Sequence, residues 1–233
     1  MRHIFLLILL LTSIRVSAEV VPFDLVIVKR SDITTNQQLQ IFQESIKRLQ
    51  EVGVTIRLDS IHEVEDVVNK NEFADYVNRR DDWAKWALKN KIRNQKKHIH
   101  FLLPPVILKG VSYMGGASGA VCTTTINLSK KYSYSIVRLK NDAGQNRYQE
   151  SLIAVAHEIL HNLGANHRDD VPNMMHEAAM QYGPTFGFKN LLIHPITKRQ
   201  VNYCKQRRTP AGKYVRSRSL ISSSENDEYF LIN

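Results

Sequence analysis

The residues with the clearest chemistry read His-Glu-Ile-Leu-His-Asn-Leu-Gly-Ala-Asn-His, at positions 157–167. His157 and His161 are four residues apart, so on a helix of 3.6 residues per turn they project from the same face. Two neutral imidazoles on one face can ligate a single Zn²⁺ ion. Glu158 follows the first of them and can reach a water at the metal without being a ligand itself. This spacing predicts a zinc site on a helix.

A turn after this helix would supply a third ligand. Gly164 lies three residues after His161, where helices commonly end in a left-handed residue that glycine adopts without a Cβ penalty. A sharp turn there would return His167 to the same metal. Three protein ligands leave the fourth position of a tetrahedral ion open, which is typical of a catalytic zinc site and not of a structural one. We therefore expect one catalytic Zn²⁺ ion bound by His157, His161 and His167.

A simpler interpretation places these polar residues on a solvated helix face. The surrounding residues are apolar, however: Leu152, Ile153, Val155, Ala156, Ile159 and Leu160. A helix of this composition is largely buried, and it holds two histidines and a glutamate only when something compensates for their burial. The pattern therefore favours the metal.

The histidine string is similar to the metzincin pattern of zinc endopeptidases, His-Glu-x-x-His-x-x-Gly-x-x-His followed by a Met-turn. Met175 lies eight residues past His167, in Val-Pro-Asn-Met-Met-His, and this spacing resembles the short matrixin connection. The resemblance implies that Glu158 activates a zinc-bound water as the catalytic residue. It also implies that Met175 is the methionine beneath the metal.

A second stretch resembles the reprolysin (adamalysin) subfamily. Residues 110–113 and 118–122 are similar to its edge-strand region, which typically carries a cysteine. The subfamily joins this cysteine to one near its C-terminus, which implies a Cys122–Cys204 disulfide; two free thiols are the alternative. Two features depart from the subfamily. Arg168 stands where reprolysins usually have Asp, and the extra cysteines usual around their Met-turn are missing.

The first residues predict secretion. Arg2 precedes a short apolar run at residues 4–11, and Val-Ser-Ala at 16–18 is a small-residue cleavage pattern. We expect residues 1–18 to be a signal peptide and the mature protein to be extracellular; an uncleaved N-terminal anchor is the alternative. Asn127 begins a glycosylation sequon, which is consistent with this route.

The remaining pattern predicts one α/β domain at residues 19–206, which by resemblance is a metzincin-type catalytic domain. Predicted strands are Phe23–Val28, Val54–Leu58, His100–Leu103, Ser118–Thr123 and Tyr134–Leu139, and predicted helices are Thr35–Glu51, Val64–Asn90 and about 148–163. Alternating strands and helices imply a twisted, mostly parallel five-stranded sheet. The resemblance makes Ser118–Thr123 the antiparallel edge strand. A long active-site helix and a small C-terminal subdomain complete the expected fold.

Substrate-binding residues are expected on the edge strand and after the Met-turn. An exposed strand can bind a peptide through main-chain hydrogen bonds, and Gly119 and Ala120 would lie in that strand. Tyr182 and Phe186 would line the pocket for the residue after the cut. Two alternatives remain open: the glycines near the edge strand make a plain turn, and the aromatic residues pack the C-terminal subdomain.

The chain is basic, with a formal net charge of +10 and a pI of about 9.6. Basic residues concentrate at 91–97 and 205–218, which suggests attraction to anionic glycosaminoglycans or acidic proteins. A solvated face and a mobile tail at residues 207–233 are the simpler interpretation. Neither stretch has the context of a nucleic-acid reader. We expect a monomer without nucleic-acid or membrane partners.

Together these patterns predict a secreted zinc endopeptidase that cuts extracellular protein or peptide substrates. The alternative is a non-proteolytic secreted binding protein or toxin that retains a structural zinc site and acts through its basic surface. Loss of the glutamate would favour the alternative; because Glu158 is present, we favour the enzyme.

Overall fold

A computed structural model describes residues 19–65, 98–103, 115–118, 134–139 and 145–207. The strands are β1 (Glu19–Val28), β2 (Val54–Val64), β3 (His98–Leu103), β4 (Gly115–Ser118) and β5 (Tyr134–Arg138). The α-helices are α1 (Thr35–Lys47), α2 (Gln145–Asn162), α3 (Ala179–Phe186) and α4 (Pro195–Arg207). Short 3₁₀ helices cover Arg48–Val52 and Phe188–Asn190.

The strands form one sheet in the order β2-β1-β3-β5-β4. β1 pairs in parallel with β2 and β3, and β3 pairs in parallel with β5. β4 runs antiparallel to β5 and lies at the edge. The described residues are therefore of mixed α/β class, as the sequence predicts.

Several element boundaries differ from those predicted. β4 overlaps the predicted edge strand only at Ser118, and residues 119–123 lie outside the described residues. β2 continues six residues past Leu58, because β1 pairs with it from Glu19 opposite Val54 to Val28 opposite Val64. The polar residues in this extension hide its strand character from the hydrophobic pattern. Val64 therefore ends a strand instead of beginning a helix, and residues 66–90 of that predicted helix lie outside the description.

Two helices pack on the same side of the sheet. α1 begins with a capping box, in which Thr34 Oγ1 accepts a hydrogen bond from Gln37 N (3.2 Å) and Gln37 Oε1 accepts one from Thr34 N (2.9 Å). Phe42 on α1 packs against Phe23 on β1, with ring centroids 6.2 Å apart. α2 contacts α1, β4 and β5. Its residues 151–160 are all buried, so α2 is the central element of the core.

The chain after α2 packs back onto this core. Gly183 on α3 lies so close to α2 that a Cβ atom there would be 2.3 Å from Ile153 Cδ1. Arg48 donates hydrogen bonds to the carbonyl oxygens of Phe188 and Leu191, the latter at 2.8 Å. These hydrogen bonds connect residues 188–191 to the 3₁₀ helix that follows α1.

Of the helices in the described part of the chain, none is both long enough and apolar enough to cross a membrane.

Candidate metal centre

The end of α2 carries the first two predicted ligands. His157 is buried, with 2% of its surface exposed, and His161 is half-buried one turn later. Gly164 follows the helix with φ of 96°. Its N–H donates to His161 O (2.9 Å), and the N–H of Ala165 donates to Leu160 O (3.0 Å). This pair of bonds is a Schellman motif, which reverses the chain as Gly164 predicts and returns exposed His167 to α2.

The three histidine rings converge through their Nε2 atoms. His161 Nε2 lies 3.0 Å from both His157 Nε2 and His167 Nε2, and the third side of this triangle is 3.2 Å. In a tetrahedral zinc site with bonds of about 2.0–2.1 Å, the ligand nitrogens lie about 3.3 Å apart. The triangle is therefore close to the size that a zinc ion requires.

Backbone carbonyl groups determine which nitrogen of each ring faces inward. His157 Nδ1 lies 2.8 Å from Met174 O, and His161 Nδ1 lies 2.8 Å from Ala165 O. Carbonyl oxygens only accept hydrogen bonds, so each Nδ1 donates a proton and each neutral ring presents an Nε2 lone pair. Lone pairs that converge in this way need a cation between them. The residues present thus fit a zinc ion.

Burial keeps these rings neutral. It lowers the pKa of His161 to about 4, and it holds the pKa of His157 well below its ordinary value, with the neighbouring His161 adding to the effect. A histidine must be neutral to bind a metal. Both side chains are therefore ready to bind a metal at neutral pH without first releasing a proton.

Glu158 lies next to the histidines and is also buried, with 4% of its surface exposed. Gly115 on β4 packs against it: a Cβ atom at Gly115 would lie 2.6 Å from both Cγ and Oε1 of Glu158. The edge strand can approach the carboxylate this closely only because residue 115 has no side chain. Between β4 and α2 lies a cleft of about 360 Å³, lined by Gly115, Gly116, Ala117, His157, Glu158, His161, Ala165, Asn166, His167, Glu177 and Met180.

Met175 is fully buried in a tight turn that follows the His167 loop. Asn173 Oδ1 accepts a hydrogen bond from Met175 N (2.9 Å), and Tyr182 Oη donates to Asn173 O (2.9 Å). Met175 O in turn accepts from Arg168 N (2.9 Å). The turn that contains the predicted methionine is therefore bonded directly to the loop that carries the third histidine.

The remaining predicted site residues either lie outside the described residues or do not line the described cleft. Outside the described residues lie Gly119, Ala120, Cys122 and Asn127. Cys204 lies on α4, but its side chain is also outside the description, so the disulfide stays a prediction. The Tyr182 ring packs edge-on against His176 and Phe186. Neither Tyr182 nor Phe186 is among the described residues that line the cleft.

Several residues that line the cleft or orient its side chains were not predicted. Glu177 and Met180 line the cleft, slightly earlier in the segment than the predicted subsite residues Tyr182 and Phe186. Met174 orients His157 through its carbonyl oxygen. A backbone atom leaves no side-chain signature, so no sequence signal could have identified this role.

Comparisons with known proteins identify a family and a similar fold. The family profile described as Metallo-peptidase family M12B Reprolysin-like matches residues 33–168. Metalloproteinase-II from Bacteroides fragilis is 18% identical with a TM-score of 0.55, over 81% of this chain and 54% of its own. Archaemetzincin from Methanopyrus kandleri is 11% identical with a TM-score of 0.51, over 82% of this chain and 98% of its own.

At these identities the two structures show a shared fold. The chain spans about half the length of metalloproteinase-II. No curated protein matches the sequence significantly.

Proposed function

Because this chain belongs to the reprolysin-like metallopeptidases of family M12B, we propose that it is a secreted zinc endopeptidase that hydrolyses peptide bonds of extracellular proteins. The observation that carries the proposal is the convergence of three histidine Nε2 atoms, 3.0–3.2 Å apart, beside the buried carboxylate of Glu158. The three histidines and the Glu158 carboxylate line the same open cleft, so a bound substrate can reach both the metal site and the carboxylate. The family and the fold do not favour the non-proteolytic alternative.

Glu158 is the proposed general base. A bound zinc ion supplies Lewis acidity at the scissile carbonyl group. As the attacking water forms its bond to the carbonyl carbon, Glu158 accepts one proton from that water. When the C–N bond breaks, Glu158 gives this proton to the leaving amine nitrogen. Gly115 keeps the carboxylate at the cleft by leaving room for it beside β4.

The substrate backbone is proposed to bind along the edge strand. β4 is paired on one side only among the described strands, and Gly116 and Ala117 of this strand line the cleft. A peptide that adds to this edge forms main-chain hydrogen bonds regardless of its sequence. Gly119 and Ala120 are proposed, from the sequence, to belong to the same binding edge. Tyr182 and Phe186 are likewise proposed from the sequence for the pocket after the cut, although neither lines the described cleft.

The finer assignments rest on the sequence. They are secretion through residues 1–18, a Cys122–Cys204 disulfide, glycosylation at Asn127, and a reprolysin-like domain with a short, matrixin-like connection to Met175. A monomer with affinity for anionic glycosaminoglycans through the basic stretches is part of the same proposal.

Cleavage of a denatured protein such as casein tests the proposal directly. The purified protein is compared with Glu158→Gln, with a chelator-treated sample and with Glu63→Gln, a matched control at an exposed position of β2. We expect Glu158→Gln to retain zinc and to lose cleavage by about 10²- to 10⁴-fold, because general-base catalysis is worth about that much. The Glu63→Gln variant should cleave like the wild type.

Zinc content separates the possible failures. Full zinc occupancy without cleavage of any substrate would support the binding protein over the enzyme. A protein that takes up no zinc at neutral pH would contradict both functions.

A further inference from the structure

The third histidine is the least supported of the three ligands. His157 and His161 belong to a helix whose residues 151–160 are all buried, whereas His167 lies in a loop and is exposed. Packing therefore does little to hold the His167 ring. Its position depends on how firmly the backbone around it is held.

Hydrogen bonds hold that backbone on both sides of His167. Ala165 O accepts from His161 Nδ1 (2.8 Å), and Arg168 N donates to Met175 O (2.9 Å). Between these two anchors, the N–H of Asn166 donates to the side-chain oxygen of Gln200, Oε1, at 3.1 Å. Of the three anchors, the one from Gln200 alone comes from outside the histidine motif and the Met-turn.

Gln200 is an unusual residue for its location on α4. It is 3% exposed, and among the described residues its Nε2 atom has no hydrogen-bond partner. A buried amide that satisfies only one of its ends costs free energy, so an apolar side chain would serve helix packing better. The hydrogen bond to Asn166 explains why an amide side chain occupies this buried position.

We propose that Gln200 is a positioning residue for the third zinc ligand. By accepting the Asn166 N–H, it holds the loop so that His167 Nε2 stays within 3.0–3.2 Å of the other two ring nitrogens. This inference rests on the zinc site of the proposed function. It extends that site to α4, because partners of this kind, which touch no metal themselves, hold ligands in a productive geometry.

The test is the zinc affinity of the full chain, measured by competition with a chelator of known affinity. Gln200→Met has a similar volume and no acceptor for the Asn166 N–H. We expect its zinc affinity to fall by up to about 10- to 100-fold, the range for losing a partner that bonds a metal ligand directly. Gln200→Asn keeps the amide group on a side chain that is too short to reach Asn166, so this variant should also bind zinc more weakly. If Gln200→Met fails to fold, the zinc affinity of Gln200→Asn tests the inference instead.

Thr197→Val is the matched control. Thr197 is fully buried on α4, three residues before Gln200, and its hydroxyl has no hydrogen-bond partner among the described residues. This change removes a buried polar atom from the same helix without breaking a hydrogen bond to the loop, so zinc affinity should match the wild type. The melting temperatures of the zinc-free proteins show whether any of the three variants lowers zinc affinity by destabilising the fold.

Wild-type zinc affinity in a folded Gln200→Met or Gln200→Asn protein would overturn the inference while leaving the proposed function intact. An equal loss in Thr197→Val would overturn it as well, because the effect would then belong to the helix and not to the hydrogen bond. If the wild type itself binds no zinc, both the inference and the proposed function fail.

Discussion

At the scale of single residues, the carbonyl oxygens of Met174 and Ala165 decide which ring nitrogen His157 and His161 present to the centre. Each lies 2.8 Å from an Nδ1 atom, so the proton of each ring is held on the side away from the other histidines. Met174 belongs to the Met-turn, and Ala165 follows the glycine that ends α2. The turns therefore set the chemistry of the rings as well as their positions.

The absence of a side chain at Gly115 is as important as the presence of one at Glu158. In Gly115→Ala the new Cβ atom would lie 2.6 Å from Cγ and Oε1 of Glu158, which is closer than atoms can pack. Because the carboxylate must move, we expect kcat to fall about 10- to 100-fold, the scale of a small misplacement of a catalytic group. KM and zinc content should change little. The measurement is kcat and KM on a peptide substrate, with zinc determined in parallel.

A double variant shows whether Gly115 acts through Glu158. In Gly115→Ala combined with Glu158→Gln, activity should be no lower than in Glu158→Gln alone, because the group that alanine displaces has already lost its function. Losses that multiply in the double variant would instead indicate that alanine blocks the substrate directly.

At the scale of elements, α3 packs closely against α2, the helix that carries His157 and Glu158, at Gly183. Helix propensity alone predicts that Gly183→Ala gains roughly 0.5–1 kcal/mol. The structure predicts the opposite sign, because the added Cβ atom would lie 2.3 Å from Cδ1 of fully buried Ile153. We expect a net loss in the free energy of unfolding, since overpacking a core typically costs about 1–3 kcal/mol. Denaturant unfolding of the zinc-free protein measures it.

Ile153→Val removes the methyl group that the new Cβ atom would strike. Alone it should cost about 0.5–1.5 kcal/mol. Combined with Gly183→Ala, it should give a protein more stable than the sum of the two single effects predicts, because the valine leaves room for the alanine. Strictly additive effects would show that the clash is relieved in some other way.

Local spacing explains which parts of the site and fold could be predicted. The helix, the glycine turn and the convergence of His157, His161 and His167 all follow from residues within one short stretch. The contacts of Gln200 with Asn166 and of Gly115 with Glu158 join elements far apart in the chain, and no local pattern encodes their approach. The length of β2 was missed for a related reason, because its pairing with β1 outweighs its polar sequence.

At the scale of the whole molecule, a few polar contacts join the N-terminal elements to the later ones. Arg30 donates a hydrogen bond to the carbonyl oxygen of Leu139 (2.7 Å), the residue that follows β5. Tyr148 near the start of α2 donates to Glu44 Oε2 on α1 (2.7 Å). The Tyr148 bond joins the two helices that pack on the sheet, so its loss affects the stability of the whole fold.

Tyr148 also makes this stability depend on pH. Burial, with help from the hydrogen bond to Glu44 and its charge, raises the pKa of Tyr148 to about 12, from an ordinary value of about 10. Between these values the folded chain keeps a proton that the unfolded chain has lost, so stability falls as pH rises from about 10 to 12. Tyr148→Phe should cost about 1 kcal/mol at pH 7. The difference in unfolding free energy between wild type and variant should shrink across that pH range.

Glu44→Gln separates the causes of this effect. The glutamine still offers an oxygen to the Tyr148 hydroxyl but carries no charge, and burial, the largest cause of the raised pKa, remains. The fall in stability above pH 10 should therefore persist in Glu44→Gln, although over a narrower pH range than in the wild type. Unfolding curves for all three proteins at matched pH values provide the comparison. Parallel pH profiles for wild type and Tyr148→Phe would mean that Tyr148 has the same pKa in the folded and unfolded chain, and would contradict this prediction.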